Sequence, residues 1–194
     1  LREAIVMSLE ICLGAERNIF EESPAHGSRV ILTSPVISPA KWQALMKLST
    51  PGFERQIIDL NYDESLGLEA AVRSIAAQAE DAVRAGKTLL VLSDRHIAPG
   101  KLPVHASLAV GAVHHRLIEQ GLRCDCNILV ETATARDPHH FAVLLGFGAS
   151  AVYPFLAYEV LADLIRTGEV LGDLDEVFKH YRKGISKGLL KILS

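Results

Sequence analysis

The sequence predicts an α/β domain: a mostly parallel sheet flanked by helices on both faces in three layers. It has four strand–helix units from about residue 56 and an irregular section before them. Three observations carry this prediction. Thr88–Leu92 is apolar without alternation, which suits a parallel strand covered on both sides. From residue 56 to residue 168, short apolar runs alternate with stretches of helical periodicity. Gly86, Gly121 and Gly168 stand at the ends of those periodic stretches, where helices commonly stop.

Leu1–Leu13 places Ile5, Val6, Leu9 and Leu13 at helical spacing, ended by Gly14. Ala15–Ser28 is polar, contains Pro24 and Gly27, and reads as loop. Val30–Leu32 and Val36–Ile37 read as extended, separated by Pro35. Ser38 is an N-cap followed by Pro39 at the first helical position, opening a short helix with Trp42, Leu45 and Met46. A strand over Gln56–Leu60 ends at Asn61. The helix after it carries Leu68, Ala71, Val72, Ile75, Ala79, Ala82 and Val83 on one face and runs to Gly86. Beyond the Thr88–Leu92 strand, a loop with Pro99, Gly100 and Pro103 leads to a helix from about Ser107 to Gln120.

Asn127–Val130 is a strand ending in Glu131–Thr132, and Asp137–Pro138 caps and opens the helix His139–Leu145. Ala151–Phe155 is a strand weakened at its end by Pro154. Tyr158–Arg166 is a helix, and Asp173 leads another through Val177, Phe178 and Tyr181. Four such units fit an open doubly wound sheet or part of a (β/α)₈ barrel. The section before residue 56 is too irregular to supply four more, which favours the open sheet.

The composition is that of a folded domain, not a disordered chain: 49% of the 194 residues are hydrophobic and 22% charged. Twenty Lys and Arg against 23 Asp and Glu leave a net charge of −3, without the basic excess of a nucleic-acid binder. Three cysteines, Cys12, Cys124 and Cys126, make no disulfide framework and point to a reducing, cytoplasmic setting. Apolar runs such as Ala109–Val113 fall far short of the roughly 20 residues a membrane span needs. The chain starts at Leu1 and stops at Ser194 within helix-like patterns, so a piece of a longer polypeptide is expected.

Ligands of parallel α/β sheets sit at the carboxyl ends of the strands. Those ends carry Asn61 and Asp63, then Ser93–His96, then Glu131–Thr132, then Tyr158–Glu159. One reading is a small-molecule or catalytic crevice built on Asp94, Arg95, His96 and Glu131. The other, favoured because strand-end loops are polar in most folds, is a network that caps strands, with Asp94 and Arg95 as a structural ion pair.

The adjacent pairs His114–His115 and His139–His140 point about 100° apart on a helix and lack the i, i+4 spacing of a zinc site. His114 shares a stripe with Val110, Leu117 and Ile118, as a core or half-buried histidine would. Cys124 and Cys126 share one face if that stretch is extended and read as buried small hydrophobes. No GxxxxGK[ST], no GxGxxG after a strand and no GxSxG is present, and Gly146–Phe147–Gly148 follows a helix as a stop. Arg182, Lys183, Lys187 and Lys191 read as a solvated helix face. No catalytic, cofactor-binding or metal-binding residue is assigned.

Several strings are distinctive. They are Leu89–Arg95, Leu102–Val104, Leu122–Asp125, Val130–Ala133, Ala135–Ala149 and Tyr153–Pro154, with Ile5–Glu10, Asn18–Phe20, Ser34–Pro35 and Tyr181–Leu189 around them. In this order, over nearly the whole chain, they closely resemble the central domain of the glutamate synthase large chain.

The resemblance implies an enzyme that turns L-glutamine and 2-oxoglutarate into two L-glutamate, in ammonia assimilation and glutamate biosynthesis. An amidotransferase domain would release ammonia from glutamine using its N-terminal cysteine. An internal tunnel would lead the ammonia to an FMN-bearing barrel, where reduced FMN gives up a hydride. A [3Fe–4S] cluster would relay electrons from NAD(P)H or ferredoxin.

On this reading residues 1–172 are the central domain, and residues 173–194 are the start of a helical connection to the FMN barrel. No FMN or cluster ligand falls within the chain. Its expected partners are the two catalytic domains, with neither nucleic acid nor membrane among them.

Overall fold

The structure is a computed structural model and describes residues 3–194. Leu1 and Arg2, the start of the expected first helix, lie outside the described residues. The elements are α1 (Glu3–Val6), β1 (Ile11–Leu13), β2 (Val30–Leu32), α2 (Pro39–Lys47), β3 (Arg55–Asp59), β4 (Asn61–Asp63), α3 (Leu68–Arg84) and β5 (Leu89–Ser93). They continue with β6 (Lys101–Pro103), α4 (Ala106–Glu119), β7 (Asn127–Glu131), α5 (Pro138–Gly146), β8 (Ala151–Tyr153), α6 (Phe155–Arg166) and α7 (Leu174–Leu193).

The main sheet is fully parallel with strand order β3-β5-β7-β8, and each of its strands leads to a helix. These are the four units expected from residue 56. The order runs along the chain without reversal, so the sheet lacks the switch point of a doubly wound fold, and a segment of a (β/α) barrel has this same order. The outer edge of β8 is covered by Pro35–Ile37. There the Ile37 amide donates to the Val152 carbonyl at 2.9 Å and the Val152 amide to the Pro35 carbonyl at 2.8 Å.

Strand side chains alternate between faces, and the two cores follow that alternation. Ile58, Leu90, Leu92, Ile128, Val130 and Val152 pack with Ile75 and Ala79 of α3, Val110 and Val113 of α4, and Phe141 and Leu144 of α5. Leu89, Val91, Leu129 and Ala151 face the other way, against Trp42 and Leu45 of α2, Phe155 and Tyr158 of α6, and Leu13 and Leu32. Helices therefore cover both faces, as the all-apolar β5 required. α7 joins the layers: Phe178 enters the second core, and Ile185 and Leu189 enter the first.

Local signals fix several boundaries. The Ser38 hydroxyl accepts from the Lys41 amide at 3.3 Å ahead of Pro39. Asp137 accepts from the His139 and His140 amides at 2.9 and 3.2 Å ahead of Pro138. Gly148 has a positive φ of 114°, and a Cβ there would meet the His114 ring at 2.3 Å, so only glycine fits this turn.

Four expectations need correction. The first thirteen residues are not one helix: Ile11–Leu13 is a strand pairing antiparallel with Leu32–Val30. Ile5 and Val6 are exposed, so their helical spacing marks no buried face, whereas strand pairing buries Leu13 completely. Asn61–Asp63 does not simply end β3: it pairs antiparallel with Lys101–Pro103, a strand inside the expected loop. β8 stops at Tyr153, and α6 begins at Phe155, immediately beyond the proline. Arg123–Asp125 is a turn of 3₁₀ helix, so Cys124 and Cys126 do not share an extended face.

Candidate functional site

The parallel register brings Asp59, Ser93, Glu131 and Tyr153 to the same rung at the carboxyl end of the sheet, one from each strand. Ser93 and Glu131 are buried there. The Ser93 hydroxyl donates to Glu131 Oε2 at 2.7 Å, and Arg95 Nε donates to Glu131 Oε1 at 3.1 Å. Arg95 then reaches Glu159 Oε1 on α6 at 2.9 Å, and its guanidinium lies 4.4 Å over the Phe155 ring. Burial pushes the Tyr153 phenol above its ordinary range, partly offset by a hydrogen bond with Arg95.

Asp94, one residue further along, belongs to a second cluster. Its carboxylate accepts from the Thr132 hydroxyl at 2.5 Å and the Ala133 amide at 2.9 Å. Burial pushes its carboxyl above the ordinary carboxylate range, and the hydrogen bonds from Thr132 and Ala133 oppose that shift. The expected Asp94–Arg95 ion pair is absent: Arg95 pairs with Glu131 and Glu159. The reason is geometric, since Glu131 stands across from Ser93 in register while Asp94 turns toward the loop after β7.

Of the proposed crevice residues, Asp94, Arg95 and Glu131 line the strand ends, and His96 is exposed on the loop beyond them. Both Glu131 oxygens are taken, Ser93 is spent on Glu131, and no histidine bonds to either among the described residues. This cluster instead ties β5, β7 and α6 together.

The other candidates scatter. Asp63 pairs with Lys101 at 2.9 Å in the small antiparallel sheet, and Asn61 bonds to Asp59 at 2.7 Å. Tyr158 is a core residue whose hydroxyl donates to the Ile37 carbonyl at 2.9 Å. His114 is half-buried, as expected, and accepts from Arg123 Nε at 2.9 Å; burial first, then Arg123, holds its pKa below the usual imidazole value.

Cys126 is buried, with its thiol pushed up to about 11 by desolvation, but Cys124 and Cys12 are exposed, which corrects the reading of Cys124 as buried. These residues do not fit an iron–sulfur cluster. Two of the three cysteines are exposed, and no group of three or more His, Cys, Asp or Glu that could hold a metal ion occurs among the described residues. No helix among the described residues is long and apolar enough to cross a membrane.

One feature was not read from sequence. A cavity of about 630 Å³ lies between the loops that precede α4 and α5, lined by His105, Thr134, Arg136, His139, His140 and Leu156 among others. The strand-end rule pointed to this end of the sheet, but the residues belong to helix starts that only the tertiary structure juxtaposes.

The fold and site define a class: a parallel α/β domain whose strand-end polar groups are occupied with one another. The chain belongs to the glutamate synthase central domain family, whose model matches residues 1–194. It is 39% identical to ferredoxin-dependent glutamate synthase 1, chloroplastic/mitochondrial, of Arabidopsis thaliana, over 100% of this chain and 13% of that protein. It is 37% identical to the glutamate synthase [NADPH] large chain of Bacillus subtilis, again over 100% of this chain and 13% of that one. With glutamate synthase [NADH] of Saccharomyces cerevisiae the identity is 33%, over 100% of this chain and 10% of that protein. The chain thus spans about one eighth of the length of the first of these relatives. Among solved structures, a flavocytochrome b2 variant with sulfite bound is similar at a TM-score of 0.46 and 17% identity, covering 81% of this chain and 36% of that one.

Proposed function

We propose that this domain is the non-catalytic connecting unit of a glutamate synthase, set between a glutamine amidotransferase domain and an FMN-dependent barrel. The observation that carries the proposal is the family match over residues 1–194 together with the 10–13% share of the relatives' length. The internal pairing of Ser93, Asp94, Arg95, Glu131 and Thr132 supports it, since it leaves these groups holding the fold.

The whole enzyme would make two L-glutamate from L-glutamine and 2-oxoglutarate with a reductant, in the cytoplasm or an equivalent reducing compartment. FMN and the cluster would be held by other parts of the chain. Residues 1–172 form the connecting unit proper on this proposal, and 173–194 lead toward the barrel. The packing of α7 on both cores would make that junction stiff.

The test is kinetic, on the full-length enzyme. His96→Ala and Ser93→Ala should leave glutamate formation within about a factor of three. Loss of a catalytic acid or base instead costs roughly 10²–10⁴-fold. A hundredfold fall in kcat with the fold intact would overturn the connecting role and restore the crevice as an active site.

A further inference from the structure

We infer that the cavity between the starts of α4 and α5 binds a small aliphatic carboxylate. The inference rests on the chemistry of the walls and not on the connecting role. The cavity holds about 630 Å³, within the range of small-ligand pockets. It sits beyond the carboxyl ends of β5 and β7, where parallel α/β sheets place their ligands.

The polar lining of the cavity is His105, His139, His140 and Arg136, with the hydroxyls of Ser107 and Thr134, which bond to His105 and Thr132. Ala133, Val143, Leu144 and Leu156 line the rest. Arg136 is exposed, and its guanidinium forms no ion pair or hydrogen bond among the described residues; only its carbonyl is used, accepting from Tyr181. His105 Nδ1 accepts from the Ser107 amide at 3.3 Å, which leaves Nε2 of the neutral ring as a donor. Arg136 thus offers an uncommitted guanidinium, and a guanidinium fork suits a planar two-oxygen anion.

The same geometry argues for a carboxylate over a phosphate. Phosphate sites at helix starts use free backbone amides. Here those amides are taken: Ser107 by the His105 ring, and His139 and His140 by the Asp137 carboxylate. Asp137, 3.3 Å from His140 Nδ1, adds negative charge beside that lining residue, which weighs more against a dianion than against a monoanion. A single carboxylate held by Arg136 and the imidazoles, with a short aliphatic body against Leu144, Val143 and Leu156, uses both the polar and the apolar lining.

The experiment is histidine carbethoxylation of the full-length polypeptide, followed peptide by peptide by mass spectrometry. Valerate, valeramide and inorganic phosphate are compared at equal concentration. Valerate should slow labelling of His105 and His139 at least threefold while leaving His96 and His180 unchanged; valeramide should not. Arg136→Gln should weaken valerate protection about tenfold or more, as expected for loss of a charge-assisted bond. Equal slowing by valeramide, no slowing by valerate, or slowing by phosphate alone would each overturn the inference.

Discussion

Two glycines one turn apart in α7 should respond unequally to the same substitution, one gaining stability and the other not. Alanine in place of a helical glycine gains about 1 kcal/mol of helix propensity. At Gly184 nothing lies within 4 Å of an added Cβ, so Gly184→Ala should keep that gain in full. At Gly188 the Cβ would lie 2.3 Å from Pro138 Cγ and 2.5 Å from Pro138 Cβ, at the start of α5. Carbon atoms settle at about 3.5–4.0 Å. A proline ring cannot rotate aside, so α5 and α7 must part by about an ångström.

Overpacking of this kind costs about 1–3 kcal/mol. Subtracting the propensity gain leaves Gly188→Ala roughly neutral to 2 kcal/mol destabilising, and about 1–3 kcal/mol less stable than Gly184→Ala. Peptide-resolved hydrogen exchange on the intact polypeptide reads the difference. Protection of α7 should rise in the first variant, and protection of α5 and α7 should be lower in the second variant than in the first. Equal protection in the two variants would refute the close approach of these helices.

Three further outcomes follow from the buried groups. The folded Asp94 carboxyl holds its proton to higher pH than an unfolded one, so the native state binds more protons and stability falls as pH rises through that window. Asp94→Asn should remove this slope; a wild-type-minus-variant Tm difference that stays flat upward from about pH 4 would contradict it. Tyr158→Phe should cost about 1–3 kcal/mol by leaving the Ile37 carbonyl unpaired, measurable by urea denaturation. Under native conditions a thiol reagent should modify Cys12 and Cys124 and spare Cys126 until unfolding, with mass mapping of the labelled peptides as the check.

How much of this was legible in the sequence depended on the range of the forces involved. α3 was readable because Ala71, Ile75, Ala79 and Val83 report one buried face at a fixed period within a single segment. β5 was readable because Leu89–Leu92 must be covered on both sides wherever it sits. β4 and β6 were not: each has three residues, and neither is stable without a partner some 40 positions away, Asn61 against Pro103 and Asp63 against Lys101. β1 failed for the same reason: Leu13 continues the helical spacing of Ile5, Val6 and Leu9, and only its pairing with Val30–Leu32 makes it a strand residue.

The strand-end site shows the same limit in its chemistry. Arg95 stands beside Asp94 in the chain, and that adjacency suggested the pair. Partners in a sheet are chosen by register instead, and register sets Ser93 opposite Glu131 and Glu131 opposite Tyr153. Arg95 therefore finds Glu131 through the neighbouring strand and Glu159 through the helix that follows Tyr153. Breaking a buried pair by removing one member costs about 3–5 kcal/mol, far more than an exposed pair contributes. Arg95 is itself only partly buried, so the lower end applies. If register chooses the partner, Glu131→Gln should cost several-fold more stability than Glu159→Gln, whose side chain is 56% exposed. Equal losses would mean that Arg95 is held by the helix and not by the sheet.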